Sequence, residues 1–90
     1  MHVHLIVSGH VQGVGFRFTA QQKANKYNLL GWVKNNPDGT VELEVEGPEE
    51  NINLFINELE KGFNRFIQVK HVKQTTSNDE KGYKQFKIKH

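Results

Sequence analysis

Val41-Glu42-Leu43-Glu44-Val45-Glu46 alternates without a break between apolar and acidic side chains. That period of two predicts a strand with one buried face and one charged face. Gly47-Pro48 ends the alternation, and Pro48-Glu49-Glu50 puts a proline and two acids where a helix N-terminus favours them. Ile52, Phe55, Ile56 and Leu59 then recur at helical spacing, with Gly62 as the expected C-terminal cap. Upstream of Val41, Asn35-Asn36-Pro37-Asp38-Gly39 is a run of turn formers, and Leu30 to Lys34 reads as the strand preceding it. The two strands make a hairpin.

Further upstream, Val3, Leu5 and Val7 alternate with His2, His4, Ile6 and Ser8, a third strand with one buried face. Between the first two strands lie a glycine-rich loop, Gly9 to Gly15, and a helical face of Phe16, Ala20, Ala24 and Tyr27. Phe66 to Val72 and Tyr83 to Ile88 are β-like, separated by a polar loop from Thr75 to Lys81. The order is β-α-β-β-α-β with a short extra C-terminal strand. Two amphipathic helices alternating with one-faced strands predict an α+β ferredoxin-like sandwich: a mainly antiparallel sheet with both helices on one face. Phe16, Phe55, Phe63, Phe66 and Phe86 are expected in the core, and Trp32 is expected to pack.

Ninety residues predict one domain, residues 1–90. There is no cysteine, no long apolar run and no secretory-type leader at Met1-His2-Val3-His4, so a cytoplasmic, monomeric chain is expected, with no membrane partner. The net charge of +2 hides an uneven distribution. All ten carboxylates fall between Asp38 and Glu80, while Arg17, Lys23, Lys26 and Lys34 stand uncompensated before them. A site built from the first 37 residues carries a positive field that favours an anion.

The loop Gly9-His10-Val11-Gln12-Gly13-Val14-Gly15-Phe16-Arg17 joins a strand to a helix, and its glycines let successive amides turn toward one point. Taken alone, it is equally a tight connection, and it lacks Walker-type spacing. Arg17 adds weight to the anion reading. An arginine in a first helical turn, with no acid nearby in sequence, opposes the helix dipole unless an anion relieves it. Its guanidinium also matches two phosphate oxygens at once.

These residues resemble the first signature of the acylphosphatase family, and Gly31-Trp32-Val33-Lys34-Asn35 resembles the second. The similarity runs over nearly the whole chain, through Asp38-Gly39-Thr40-Val41 and Glu46-Gly47-Pro48. It implies metal-independent hydrolysis of acyl phosphates without a cofactor. Arg17 is implied as the catalytic arginine, Asn35 as the residue that orients the attacking water, and Val11, Gln12, Gly13, Val14, Gly15 and Phe16 as the phosphate loop. Inorganic phosphate is then a product and a competitive inhibitor, and the substrate's own phosphate takes the water's proton. One stretch departs from the family pattern: Gly62-Phe63-Asn64-Arg65-Phe66 has no proline where many members have one.

Other readings compete. His2 and His4 share a strand face but lack a third metal ligand, and His10 reads as an exposed loop residue. The same element order is that of the RNA-recognition fold, yet a sheet face presenting Glu42, Glu44 and Glu46 would repel phosphate backbones, so no nucleic-acid partner is expected. A non-catalytic module is the third option, since similar folds sit inside larger proteins such as carbamoyl-phosphate-using maturation enzymes. The chain reads as complete by itself.

Overall fold

The computed structural model describes residues 1–90 as β1 (His2–His10), α1 (Phe16–Lys26), β2 (Leu30–Asn35), β3 (Val41–Glu46), α2 (Glu49–Glu60), β4 (Gln68–Ser77) and β5 (Phe86–Lys89). The strands form one sheet in the order β4-β1-β3-β2-β5. Every pairing is antiparallel except β2 with β5. The ferredoxin-like arrangement expected from the alternation is therefore present, and the extra strand lies parallel to β2 at the sheet edge. No helix is long and apolar enough to cross a membrane.

Period-two alternation sends Val3, Leu5 and Val7 of β1 and Val41, Leu43 and Val45 of β3 to the same side, all fully buried. The register pairs Leu5 with Leu43, and Leu43 in turn with Val33 of β2. The helices cover this layer. Helix α2 contributes Ile52, Phe55, Ile56 and Leu59, whereas α1 buries only Phe16, Ala20 and Ala24, small residues after one large anchor. Between the helices, Tyr27 donates a hydrogen bond to Glu58, whose other oxygen lies 2.9 Å from Lys23 Nζ.

Several boundaries differ from the sequence expectations. β1 continues through Gly9 to His10, with a bulge between Ser8 and Gly9, so the loop before α1 is shorter than the glycines suggested. His10 is exposed at the strand end. β4 starts at Gln68 and runs to Ser77, absorbing Thr75 and Thr76 from the expected polar loop. As an edge strand with mostly exposed side chains, it lacks the apolar alternation that marks a strand in sequence. Phe66 lies outside the core, 61% exposed, with the Arg65 guanidinium 5.1 Å from its ring centroid. Phe63 instead turns inward from the proline-less turn, in a left-handed conformation (φ 57°), and packs 5.4 Å from Phe16 and 5.6 Å from Phe55.

The largest correction concerns the acidic face of β3. Glu42 is half-buried, while Glu44 and Glu46 are only 8% and 2% exposed, because the segment after β4 folds across them. Glu46 accepts hydrogen bonds from the backbone amides of Lys81, Gly82 (3.1 Å) and Tyr83 (3.2 Å). Those amides are thereby withdrawn from strand pairing, and β5 begins at Phe86 rather than Tyr83. His2 Nε2 lies 2.8 Å from Glu44 and His4 Nε2 2.6 Å from Glu42, so both imidazoles are engaged by carboxylates. The outer face thus presents no open acidic surface to repel a nucleic acid. It presents no stacking platform either: Trp32 is 7% exposed, donates to Tyr83 Oη (3.0 Å), and has Lys89 Nζ 4.4 Å from its ring centroid.

Burial alone would push the Glu44 carboxyl up, but hydrogen bonds from Tyr83 (2.6 Å), His2 and Lys81 outweigh it and hold it at about 2 against an ordinary 4.5. A carboxyl that titrates lower in the folded chain stabilises fully above its unfolded value, and that stabilisation is lost as pH falls toward 2. Denaturant midpoints measured across that range should therefore fall by an amount equivalent to about 2–3 kcal/mol from this group. Glu44→Gln should flatten that part of the profile; an unchanged slope would show that the acid transition belongs to other carboxylates.

Candidate active site

The glycine loop owes its shape to two anchors. Val11 is buried in the core, and the Gln12 side chain reaches across to the β2–β3 hairpin, where Nε2 donates to Asn36 O (2.8 Å) and Thr40 O (2.9 Å). Between these anchors and α1, Gly13 and Gly15 take left-handed conformations, with φ near 76° and 77°. Other residues pay a steric cost there, and a Cβ at either glycine would stand in open space. The glycines are required by the backbone path, not by crowding.

Gly15 also occupies the N-cap of α1, and no side chain caps the helix or places an acid in its first turn. The first helical hydrogen bond runs from Thr19 N to Gly15 O (3.0 Å). Amides earlier in the turn have no intrahelical acceptor and point out of the helix end, which carries partial positive charge. Arg17 sits on that turn, half-buried, with Nη1 3.4 Å from His90 Nδ1.

Asn35 is the last residue of β2, opposite Val41 in register. The hairpin beyond it is closed by Asn36 N to Thr40 O (2.8 Å) and by Asp38, whose carboxylate accepts from the Thr40 amide (3.0 Å) and hydroxyl (2.7 Å). Those bonds from Thr40 hold the Asp38 carboxyl below its usual range, and they turn it onto the hairpin itself. The side-chain oxygen of Asn35 is different: Oδ1 is buried and no protein donor reaches it. A buried acceptor without a donor costs about 1–3 kcal/mol, so its retention calls for a reason outside packing.

Arg17, Asn35, Gly13 and Gly15 line one half-open concavity of about 230 Å³. Val11 and Phe16 form part of its wall from their buried positions. Six of the eight residues named from the sequence are thus brought together. Gln12 and Val14 do not line the cavity: Gln12 holds the loop to the hairpin, and Val14 packs partly buried against the core. Three lining residues were missed, namely Phe18, Ile88 and His90. The parallel pairing of Lys34 with Lys89 carries the end of β5 alongside Asn35, and no local sequence signal announces that juxtaposition. Phe18 follows Arg17 directly and was readable as a neighbour of the site.

No acidic side chain lines the concavity, and its charged or titratable side chains are Arg17 and His90. No cluster of three or more His, Cys, Asp or Glu side chains suited to a metal ion occurs in the molecule. The arrangement offers a guanidinium, free helix-end amides and a buried neutral acceptor around one opening. It suits a multi-oxygen anion and a small donor such as water beside it.

Comparison with known proteins gives the same direction. The family model described as Acylphosphatase matches residues 3–88. An acylphosphatase from Geobacillus kaustophilus is 48% identical over 86 residues, covering 96% of this chain and 90% of that protein. The crystal structure of acylphosphatase from Bacillus subtilis superposes with a TM-score of 0.94 at 40% identity, covering 99% of this chain and 98% of that one. Full-length HypF, solved in a phosphate- and nucleotide-bound form, contains a similar region: TM-score 0.90, 36% identity, 99% of this chain but 12% of that one.

Gln12→Ala removes both side-chain bonds between loop and hairpin. It should lower stability by about 1–2 kcal/mol, and amide hydrogen exchange should accelerate in residues 11–15 more than in α2. Uniform acceleration across the chain would mean that Gln12 supports the fold as a whole rather than the loop.

Proposed function

Because this chain belongs to the acylphosphatase family, we propose that its reaction is run by Arg17, the Val11–Phe16 loop and Asn35 in the concavity between α1 and the end of β2. The chain is a hydrolase that splits the carboxyl–phosphate bond of acyl phosphates, releasing a carboxylate and inorganic phosphate. The observation that carries the assignment of roles is that Arg17, Asn35 and the loop glycines line one opening.

An acyl phosphate is a mixed anhydride whose carboxylate leaves without being protonated, so no general acid is needed. Phosphoryl transfer asks mainly for positioning and for stabilisation of charge on the non-bridging oxygens. Loop and helix-end amides with the Arg17 guanidinium supply that stabilisation in a site whose donors are already oriented. The Asn35 carboxamide orients the water, which attacks phosphorus in line with the departing carboxylate. The new P–O bond forms as the P–O bond to the acyl group breaks, and the carboxylate keeps the electron pair. The water's proton passes to a phosphate oxygen. An aspartate at position 35 would repel the substrate; the amide does not.

The same reading makes inorganic phosphate a competitive inhibitor and has residues 1–90 act as one domain, monomeric and cytoplasmic, with no cofactor and no nucleic-acid partner.

Arg17→Ala and Arg17→Lys should each lower metal-free hydrolysis of benzoyl phosphate by on the order of 10²–10⁵ while circular dichroism stays native. Near-normal turnover in either variant removes Arg17 from the mechanism. Asn35→Ala should lower kcat far more than it weakens inhibition by inorganic phosphate. If phosphate inhibition collapsed and turnover of bound substrate survived, Asn35 would be a binding residue instead.

A further inference from the structure

The residues implied by the family resemblance grip the phosphoryl group and leave the acyl group without a partner, yet the concavity also carries exposed apolar lining. Three large hydrophobic side chains are exposed in the molecule: Phe18 (60%), Leu54 (47%) and Phe66 (61%). Of these, only Phe18 lines the concavity that holds Arg17 and Asn35. Ile88, half-buried on β5, lines it as well. The opening is therefore lined by both kinds of group: a guanidinium, a carboxamide and loop glycines, and with them an exposed aromatic ring and a branched aliphatic chain.

We propose that Phe18, seconded by Ile88, is the acyl-binding surface of the site, and that the substrate class is acyl phosphates with an aromatic or bulky branched apolar acyl group. This rests on the phosphate-site reading above. In-line displacement sets the leaving carboxylate opposite the attacking water. The water's holder, Asn35, belongs to the sheet, whereas Phe18 belongs to the helix that carries Arg17. Phe18 follows Arg17 on α1 and lines the same opening, so a substrate whose phosphoryl group is held at Arg17 can bring its acyl group against the Phe18 ring. An aromatic acyl group covers that ring and removes apolar surface of both partners from water, while an acetyl group offers a single methyl. No acidic side chain lines the opening, and the apolar contact is what distinguishes a bulky apolar acyl group from a small one.

The test compares kcat/KM for benzoyl phosphate and acetyl phosphate in the wild type, Phe18→Ala and Phe18→Leu, with inorganic phosphate inhibition measured alongside. The ratio of benzoyl to acetyl kcat/KM should fall about tenfold in Phe18→Ala and by an intermediate factor in Phe18→Leu, the size expected for an apolar pocket contact. The phosphate inhibition constant should hold, showing the anion cradle intact. An unchanged ratio, whether both substrates slow equally or neither slows, overturns the proposal. Failure of the underlying phosphate site is seen separately, as turnover surviving in Arg17→Ala.

Discussion

A carboxylate buried to 2% exposure and filled with backbone amides sets the geometry of half this molecule. Glu46 lies at the end of β3, and an unpaired charge there would cost several kcal/mol. Three consecutive amides, from Lys81 to Tyr83, answer it. That nest fixes where the chain crosses the outer face of the sheet, lays Tyr83 over Glu44 and Trp32, and hands the backbone to β5 in one register beside β2. A different crossing would shift β5, and with it Ile88 and His90 at the opposite end of the strand. The acids of β3 are thus internal fasteners rather than a surface.

The anion cradle is held by a complementary device of shorter reach. Gln12 ties the loop to the hairpin that follows Asn35, so the two halves of the cavity, separated by 18 positions in sequence from Arg17 to Asn35, share one polar bridge. Positive charge there is not offset from within. Helix α1 has no acid in its first turn, and Asp38, which does not line the cavity, takes both Thr40 bonds on Oδ1. The helix end and Arg17 therefore remain available to an incoming anion, and the low-lying Asp38 carboxyl stays in its turn.

The fold was legible because β3 alternates strictly, β1 nearly so, and both helices carry apolar faces; periodicity survives in sequence when one face packs on the apolar core and the other carries polar groups. The edge strand β4 was read at Phe66 to Val72 but lies at Gln68–Ser77, because its exposed threonines and lysines pack against nothing that would mark its bounds. The site was half legible. Arg17, the glycines and Asn35 lie within two local motifs, and their types alone suggest an anion. Ile88 and His90 join them through a parallel pairing across more than fifty residues, and no local spacing encodes that. Likewise the exposure expected for Glu44 and Glu46 followed from alternation, which names the two faces of a strand but not what a distant loop lays over one of them.

The parallel edge strand also ties the pocket to the sheet. β5 covers the edge of β2 and brings Ile88 and His90 to the opening that holds Arg17 and Asn35. Losing that one pairing would bare a sheet edge and strip a wall from the pocket together, so closure of the sheet and completeness of the pocket depend on the same strand.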